Sequence, residues 1–237
     1  MDNAGYTTLT RQSGLMREMS VIANNIANSA TTGFRQEGLI FSEFVKGTEV
    51  GPSLSMATAN VRSIDLSQGT LTKTGGDLDF AIEGDGFFLV QAPGGQRLTR
   101  AGSFALSPAG DLVTNDGYPV LDPGGAPIFI PPDATDLGMA ADGTLSTGGR
   151  PIGQIGIVAP VDPLRLQREG GVMFRADEGV VPVEAPRAIQ GFIESSNVDP
   201  IGQIARMISV QRAYELGQSF LDKEDERIRT TMKTLLK

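Results

Sequence analysis

The chain has 237 residues, 40% hydrophobic but only 6% aromatic, with 30 glycines, 14 prolines and neither cysteine nor histidine. The missing residue types exclude thiol nucleophiles, disulfides, the usual zinc sites and histidine acid–base catalysis. A net charge of −8 and a pI near 4.6, with no basic cluster, exclude nucleic acid as a partner. No run reaches the ~18–20 apolar residues of a membrane helix, so no membrane insertion is expected. Met1-Asp2-Asn3-Ala4 does not open a cleavable signal. Export, if it occurs, is expected by a route that removes no signal peptide.

The first helix is expected from near Asn3 to near Ser29. Its apolar stripe is Leu15, Met19, Ile22 and Ile26, at steps of four, three and four. Asn24, Asn25 and Asn28 crowd its last turns, and Gly33, after Thr31-Thr32, is a candidate left-handed cap. The asparagines have two readings of equal weight: fraying and capping of the helix end, or amide bonds between tightly packed helices.

Residues 34–66 read as an extended linker that orders only against a neighbour. Phe34, Ile40, Phe41 and Phe44 are apolar, and Gly47 to Ala59 is small and polar. Residues 67–195 read as short strands and tight turns. Leu78–Ile82 alternates like a half-buried strand, Gly84-Asp85-Gly86 turns, and Phe87–Val90 is a buried strand. The pattern repeats through Pro93-Gly94-Gly95, Arg97–Phe104, Asp111–Thr114, Asn115-Asp116-Gly117 and Tyr118–Leu121, with a further strand over Ile152–Val158. No helical segments alternate with these strands, so the sheet should be antiparallel.

Asp199-Pro200 opens the last helix with a side-chain acceptor and a proline at the first helical position. Residues 200–236 would span roughly 55 Å. That is too long to hide against one small domain. The stripe is Met207, Val210, Tyr214, Gly217, Leu221, then Ile228 and Leu235, interrupted by Glu224 and Thr231. This three-four spacing suits a coiled-coil-like seam. The fold class is therefore α+β: the terminal helices pair, and an antiparallel all-β domain is inserted between them. The expected boundaries are 1–33 with 196–237, the linker 34–66, and the β domain 67–195.

Chemistry is harder to place. Gly84-Asp85-Gly86-Phe87 lacks the third glycine and following helix of a phosphate loop. Asp77, Asp79, Glu83 and Asp85 lack calcium-loop spacing, and Glu178 and Glu184 are not marked as a carboxylate pair. No catalytic, cofactor or metal site is expected. The layout is that of a subunit assembling through its termini. A secreted cell-wall enzyme or adhesin with docking helices is the runner-up.

Three sets of motifs then add up to a family. Ala23-Asn24-Asn25-Ile26-Ala27-Asn28 with Thr31-Thr32-Gly33-Phe34 resembles the N-terminal signature of bacterial flagellar rod and hook axial proteins. Glu194-Ser195-Ser196-Asn197-Val198, then Met207-Ile208 and Gln211-Arg212-Ala213-Tyr214, resembles their C-terminal signature. The centre matches through Ala81–Phe88, Thr99-Arg100-Ala101-Gly102-Ser103-Phe104 and Leu112–Gly117. The opening Met1–Tyr6 with Arg11-Gln12 fits the F-type proximal-rod branch better than the distal rod or hook, which stay as alternatives.

The resemblance implies a structural subunit of the flagellar drive shaft, exported by the flagellar type III apparatus and assembled in the periplasm with itself and other rod subunits in a helical array. It implies assembly residues at Leu15, Met19, Ile22, Asn24, Asn25, Ile26, Asn28, Thr32, Gly33 and Phe34. At the other end it implies Ser196, Asn197, Met207, Ile208, Gln211, Arg212, Tyr214, Gly217, Leu221 and Ile228. Within the β domain the motif positions are Gly84, Gly86, Phe87, Phe88, Arg100, Gly102, Phe104 and Gly117.

Overall fold

A computed structural model describes residues 3–46, 54–132, 134 and 136–235. The chain divides into a helical unit, residues 1–27, 37–65 and 199–237, and a β unit, residues 28–36 and 66–198.

The helical unit contains α1 (Asn3–Ala27), β1 (Glu37–Lys46), β2 (Leu54–Ile64) and α2 (Pro200–Leu235). Asp199 caps α2 as expected: its carboxylate accepts the Ile201 N–H at 3.1 Å. The helices are antiparallel. Asn25 reaches Gln203, Glu18 reaches Arg206, and Gln12 reaches Tyr214 and Gln218. Continuing that register, Asn3 falls opposite the region near residue 225. The last turns of α2 therefore run on for roughly 15 Å past the start of α1. Between the helices in sequence, β1 and β2 pair antiparallel from Glu37↔Ile64 to Lys46↔Leu54, with a bulge after Ile40. Residues expected as an extended linker are thus extended, but much of the stretch pairs with itself. Phe41 and Phe44 lie where only the backbone is described. No described helix is long and apolar enough to cross a membrane.

The β unit is built almost wholly from antiparallel pairs. Its largest sheet runs in the order Leu166–Arg168, Met173–Ala176, Gly95–Thr99, Phe87–Ala92, Ile157–Pro160, Val180–Pro182. Smaller pairings join Phe80–Ile82 to Ala188–Gln190, Leu71–Lys73 to Phe192–Glu194, and Phe104–Leu106 to Leu112–Thr114. The core gathers Phe80, Ile82, Phe88, Val90, Phe104, Leu112, Val120, Leu145 and Ile155. Phe88 meets Phe104 edge-on at 5.3 Å.

Three strand readings need correction. Arg97–Phe104 is not one strand but parts of two, Gly95–Thr99 in the six-stranded sheet and Phe104–Leu106 paired with Leu112–Thr114. Phe80–Ile82 does not alternate; all three residues are buried, because both faces of this short strand are covered. The single strand expected over Ile152–Val158 is two. Arg150–Gln154 belongs to a three-stranded sheet and Ile157–Pro160 to the six-stranded one. The break falls at Gly156, where a Cβ would lie 2.8 Å from the Leu121 carbonyl oxygen. The chain passes too close to another backbone there to carry a side chain.

Candidate functional site

The seam of the helical unit is small. Leu15, Ile22 and Val210 form its buried centre, with Met19, Ile26, Met207, Ala213 and Tyr214 packed around them. Positions 203, 207, 210, 214, 217, 221, 224 and 228 are less exposed than most of their neighbours on α2, a strict four-three repeat that runs through Glu224. Gly217 faces Gln12: a Cβ there would come within 3.2 Å of its amide nitrogen. Leu221 and Ile228 are half-buried.

Outside this repeat α2 carries further apolar residues that are open to water. Ile201 is 80% exposed, Leu216 73% and Ile208 46%, with Ile204 and Phe220 nearly as accessible. Gln211 and Arg212 lie on the exposed surface too. Leu216 and Phe220, with Leu15 and Gly217, line a groove of about 350 Å³ beside the seam.

The asparagines divide between their two readings. Asn25 is fully buried; its amide oxygen accepts the Glu37 N–H at 3.0 Å while its nitrogen donates to the Glu37 carbonyl at 2.8 Å. It behaves as a strand partner for β1, with a weaker bond to Gln203 at 3.4 Å. Asn28 instead closes a local turn, its carbonyl accepting from the Thr31 N–H at 3.1 Å. Asn24 is exposed at the helix end. Gly33 is left-handed at φ +70°, yet it does not cap α1, which ends at Ala27. Its N–H goes to the Glu194 carbonyl at 2.7 Å, and a Cβ would lie 2.2 Å from the Ala101 nitrogen.

The other signature residues flanking the helices sit inside the β unit. Phe34 is buried under the Arg168 guanidinium, 4.2 Å from its ring centre. Thr32 and Ser196 are half-buried. Asn197 accepts the Gln36 N–H at 2.6 Å and donates to the Ser67 carbonyl at 2.9 Å. Of the central motif, Gly86, Phe87, Phe88, Gly102 and Phe104 are buried, while Gly84 and Gly117 are exposed turn residues. Gly102 is sterically required: a Cβ there would lie 1.7 Å from the Phe80 carbonyl oxygen.

One cluster holds the three most deeply buried charged side chains among the described residues. The Glu194 carboxylate is 1% exposed and takes Arg35 at 2.8 Å on one oxygen and Arg100 at 3.1 Å on the other. The first oxygen also accepts the Gly69 N–H at 2.8 Å. Arg100 donates further to the Ile82 and Gly84 carbonyls and lies over the Phe87 ring. Arg35 donates to the Ser67 carbonyl. Burial pushes the Arg100 guanidinium down to about 10, against the pull of Glu194, so it stays charged at neutral pH. Sequence reasoning quoted Arg100 and Glu194 within motifs but did not pair them, and did not single out Arg35. No local pattern links residues 159 positions apart.

Three segments match known family models: residues 6–35 the flagella basal body rod protein, 81–147 the flagellar hook protein FlgE/F/G D1 domain, and 189–234 the flagellar basal body rod FlgEFG protein C-terminal. The flagellar basal-body rod protein FlgF of Caulobacter vibrioides is 40% identical, over 99% of this chain and 98% of its own length. The chain belongs to the flagellar basal-body rod protein family. FlgF of Mesorhizobium japonicum is 37% identical over 97% of this chain, and FlgG of Bacillus subtilis 34% over 93%. Rod proteins are structural subunits and not enzymes. This one assembles with other rod subunits in the flagellar basal body. The three matched segments of the rod protein each supply one member of the buried cluster: Arg35, Arg100 and Glu194.

Proposed function

We propose that this rod subunit polymerises through its terminal helices into the hollow shaft that transmits torque, with the β unit as the outer domain. The observation that carries the reading is the set of apolar residues on α2 outside the seam, Ile201, Ile204, Ile208 and Leu216, which stand in water in the single chain. Exposed apolar surface of this kind calls for a protein neighbour. A heterologous contact that does not close generates a helix of subunits. The resemblance further supports export by the flagellar type III apparatus without signal cleavage, and assembly in the periplasm. Long helices with so small a seam are compatible with ends that stay labile until a neighbour covers them.

The test is motility and recovery of rods from cells carrying single substitutions, with secretion measured separately. Leu221→Asp places a charge in the four-three repeat, and rods should fail while the β unit stays folded. Normal rods from this variant would refute the assembly-seam assignment. Gly217→Leu should also obstruct assembly, since the new side chain must displace Gln12. Normal rods there would refute only the close-approach argument.

A further inference from the structure

We propose that Glu194 is a positioning residue: inside the β unit its buried carboxylate anchors the segments through which the chain leaves for the helical unit, so that a load arriving along the chain is held there. The proposal rests on the chain being a rod subunit, whose β unit must stay closed under load. The chain passes from one unit to the other four times, at 27/28, 36/37, 65/66 and 198/199. Every one of these passages leads into a segment that the cluster ties down inside the β unit. Segment 28–36 is held by Arg35 on the carboxylate and by the Gly33 N–H on the Glu194 carbonyl. Residues 67–69 are held by the Gly69 N–H on the same carboxylate and by Arg35 on the Ser67 carbonyl. Segment 194–198 contains Glu194 itself, and Asn197 bonds residues 36 and 67 in the other two. Arg100 then fixes the carboxylate to the sheet through the Ile82 and Gly84 carbonyls.

The chemistry suits this task better than it suits stability. A buried ion cluster is often no more stabilising than apolar residues of the same volume, whereas breaking it by removing one partner is severe. Charge-assisted hydrogen bonds are directional and resist sliding; apolar contacts are not directional and yield to shear more easily. Three segments that must not slip past one another therefore gain from meeting at one carboxylate.

The experiment uses the full chain, which has no native cysteine to interfere with handles. Cysteines at exposed Asp116 in the β unit and exposed Ser219 on α2 allow single-molecule pulling across the passage at 198/199. After α2 extends at low force, Glu194→Gln should release the segment at a rupture force about two-fold lower than the parent. Pulling between Asp116 and Asp142, both in the β unit, should be unchanged. Hydrogen exchange at the Gly33, Gly69 and Asn197 amides should quicken about ten-fold or more, while the amides of Phe88 and Leu112 keep their protection. An unchanged rupture force, or an equal loss in both pulling geometries, would overturn the proposal.

Arg35→Met/Arg100→Met/Glu194→Met keeps the measurement decisive if the single variant folds poorly. Its β unit should melt within a few degrees of the parent, yet rupture should stay low. An apolar cluster that restores the full rupture force would assign the cluster to packing alone.

Discussion

The two units of this chain handle apolar surface in opposite ways. In the β unit, Phe80, Phe88, Val90, Leu112 and Leu145 are out of water altogether. Among the described side chains of the helical unit, Leu15, Ile22 and Val210 form the buried centre, while Ile201 and Leu235 are each 80% exposed. The first unit is finished by its own residues; the second is unsaturated. Among the described residues, the ring pairs join Phe80, Phe87, Phe88, Phe104 and Phe174, all in the β unit. Under the proposal that the subunit polymerises through its ends, its own stability belongs in the part that does not polymerise.

Substitutions can break this contrast or sharpen it. The largest effect is expected from Phe88→Ala, which opens a cavity beside Phe104 and should cost the β unit about 3–5 kcal/mol in a denaturant melt. A loss under 1 kcal/mol would mean that this core is not what holds the unit together. Limited proteolysis of the dilute protein should trim both ends and leave a fragment containing residues 67–195; full protection of both ends would show a self-sufficient helical unit. Asn25→Ala strands the buried N–H and C=O of Glu37 and should destabilise the helical unit by about 1–3 kcal/mol, read as faster exchange in β1. Leu216→Ser should be smallest in the monomer, within about 0.5 kcal/mol, because the side chain is already in water. Its effect should appear instead as fewer rods recovered from cells, and undiminished rod recovery would show that this open position is idle.

Much of this was legible in the sequence. The helix stripes, Asp199 as a cap and the dense glycine turns are local patterns of 3.6, 1 and 2–4 residues, and local patterns survive folding. What sequence could not supply was partnership at a distance. Asn25 was recognised as an amide in a crowded place, but nothing in its neighbours says that it will complete a strand edge at Glu37. Gly33 was read as a helix cap because its φ is all that local sequence can suggest; the reason it must be glycine is the Ala101 backbone 2.2 Å from where a Cβ would stand. The strand over Ile152–Val158 was divided by Gly156 for the same kind of reason. The pairing of Arg35 with Glu194 joins two residues that only the finished fold makes neighbours.

The β unit's pairings also impose a calendar. Its central hairpins close locally: Phe87–Ala92 with Gly95–Thr99, Phe104–Leu106 with Leu112–Thr114, Thr144–Thr147 with Arg150–Gln154. Leu71–Lys73 and Phe80–Ile82 are different. Their partners are Phe192–Glu194 and Ala188–Gln190, more than a hundred residues later. In a chain that emerges amino end first, these early strands wait unpaired until residue 194 is out, when little but α2 remains to follow. Closure of the β unit is therefore a signal of near-arrival: a chain that stops short of residue 188 cannot make these pairs, and a subunit that closes does so just ahead of its second helix.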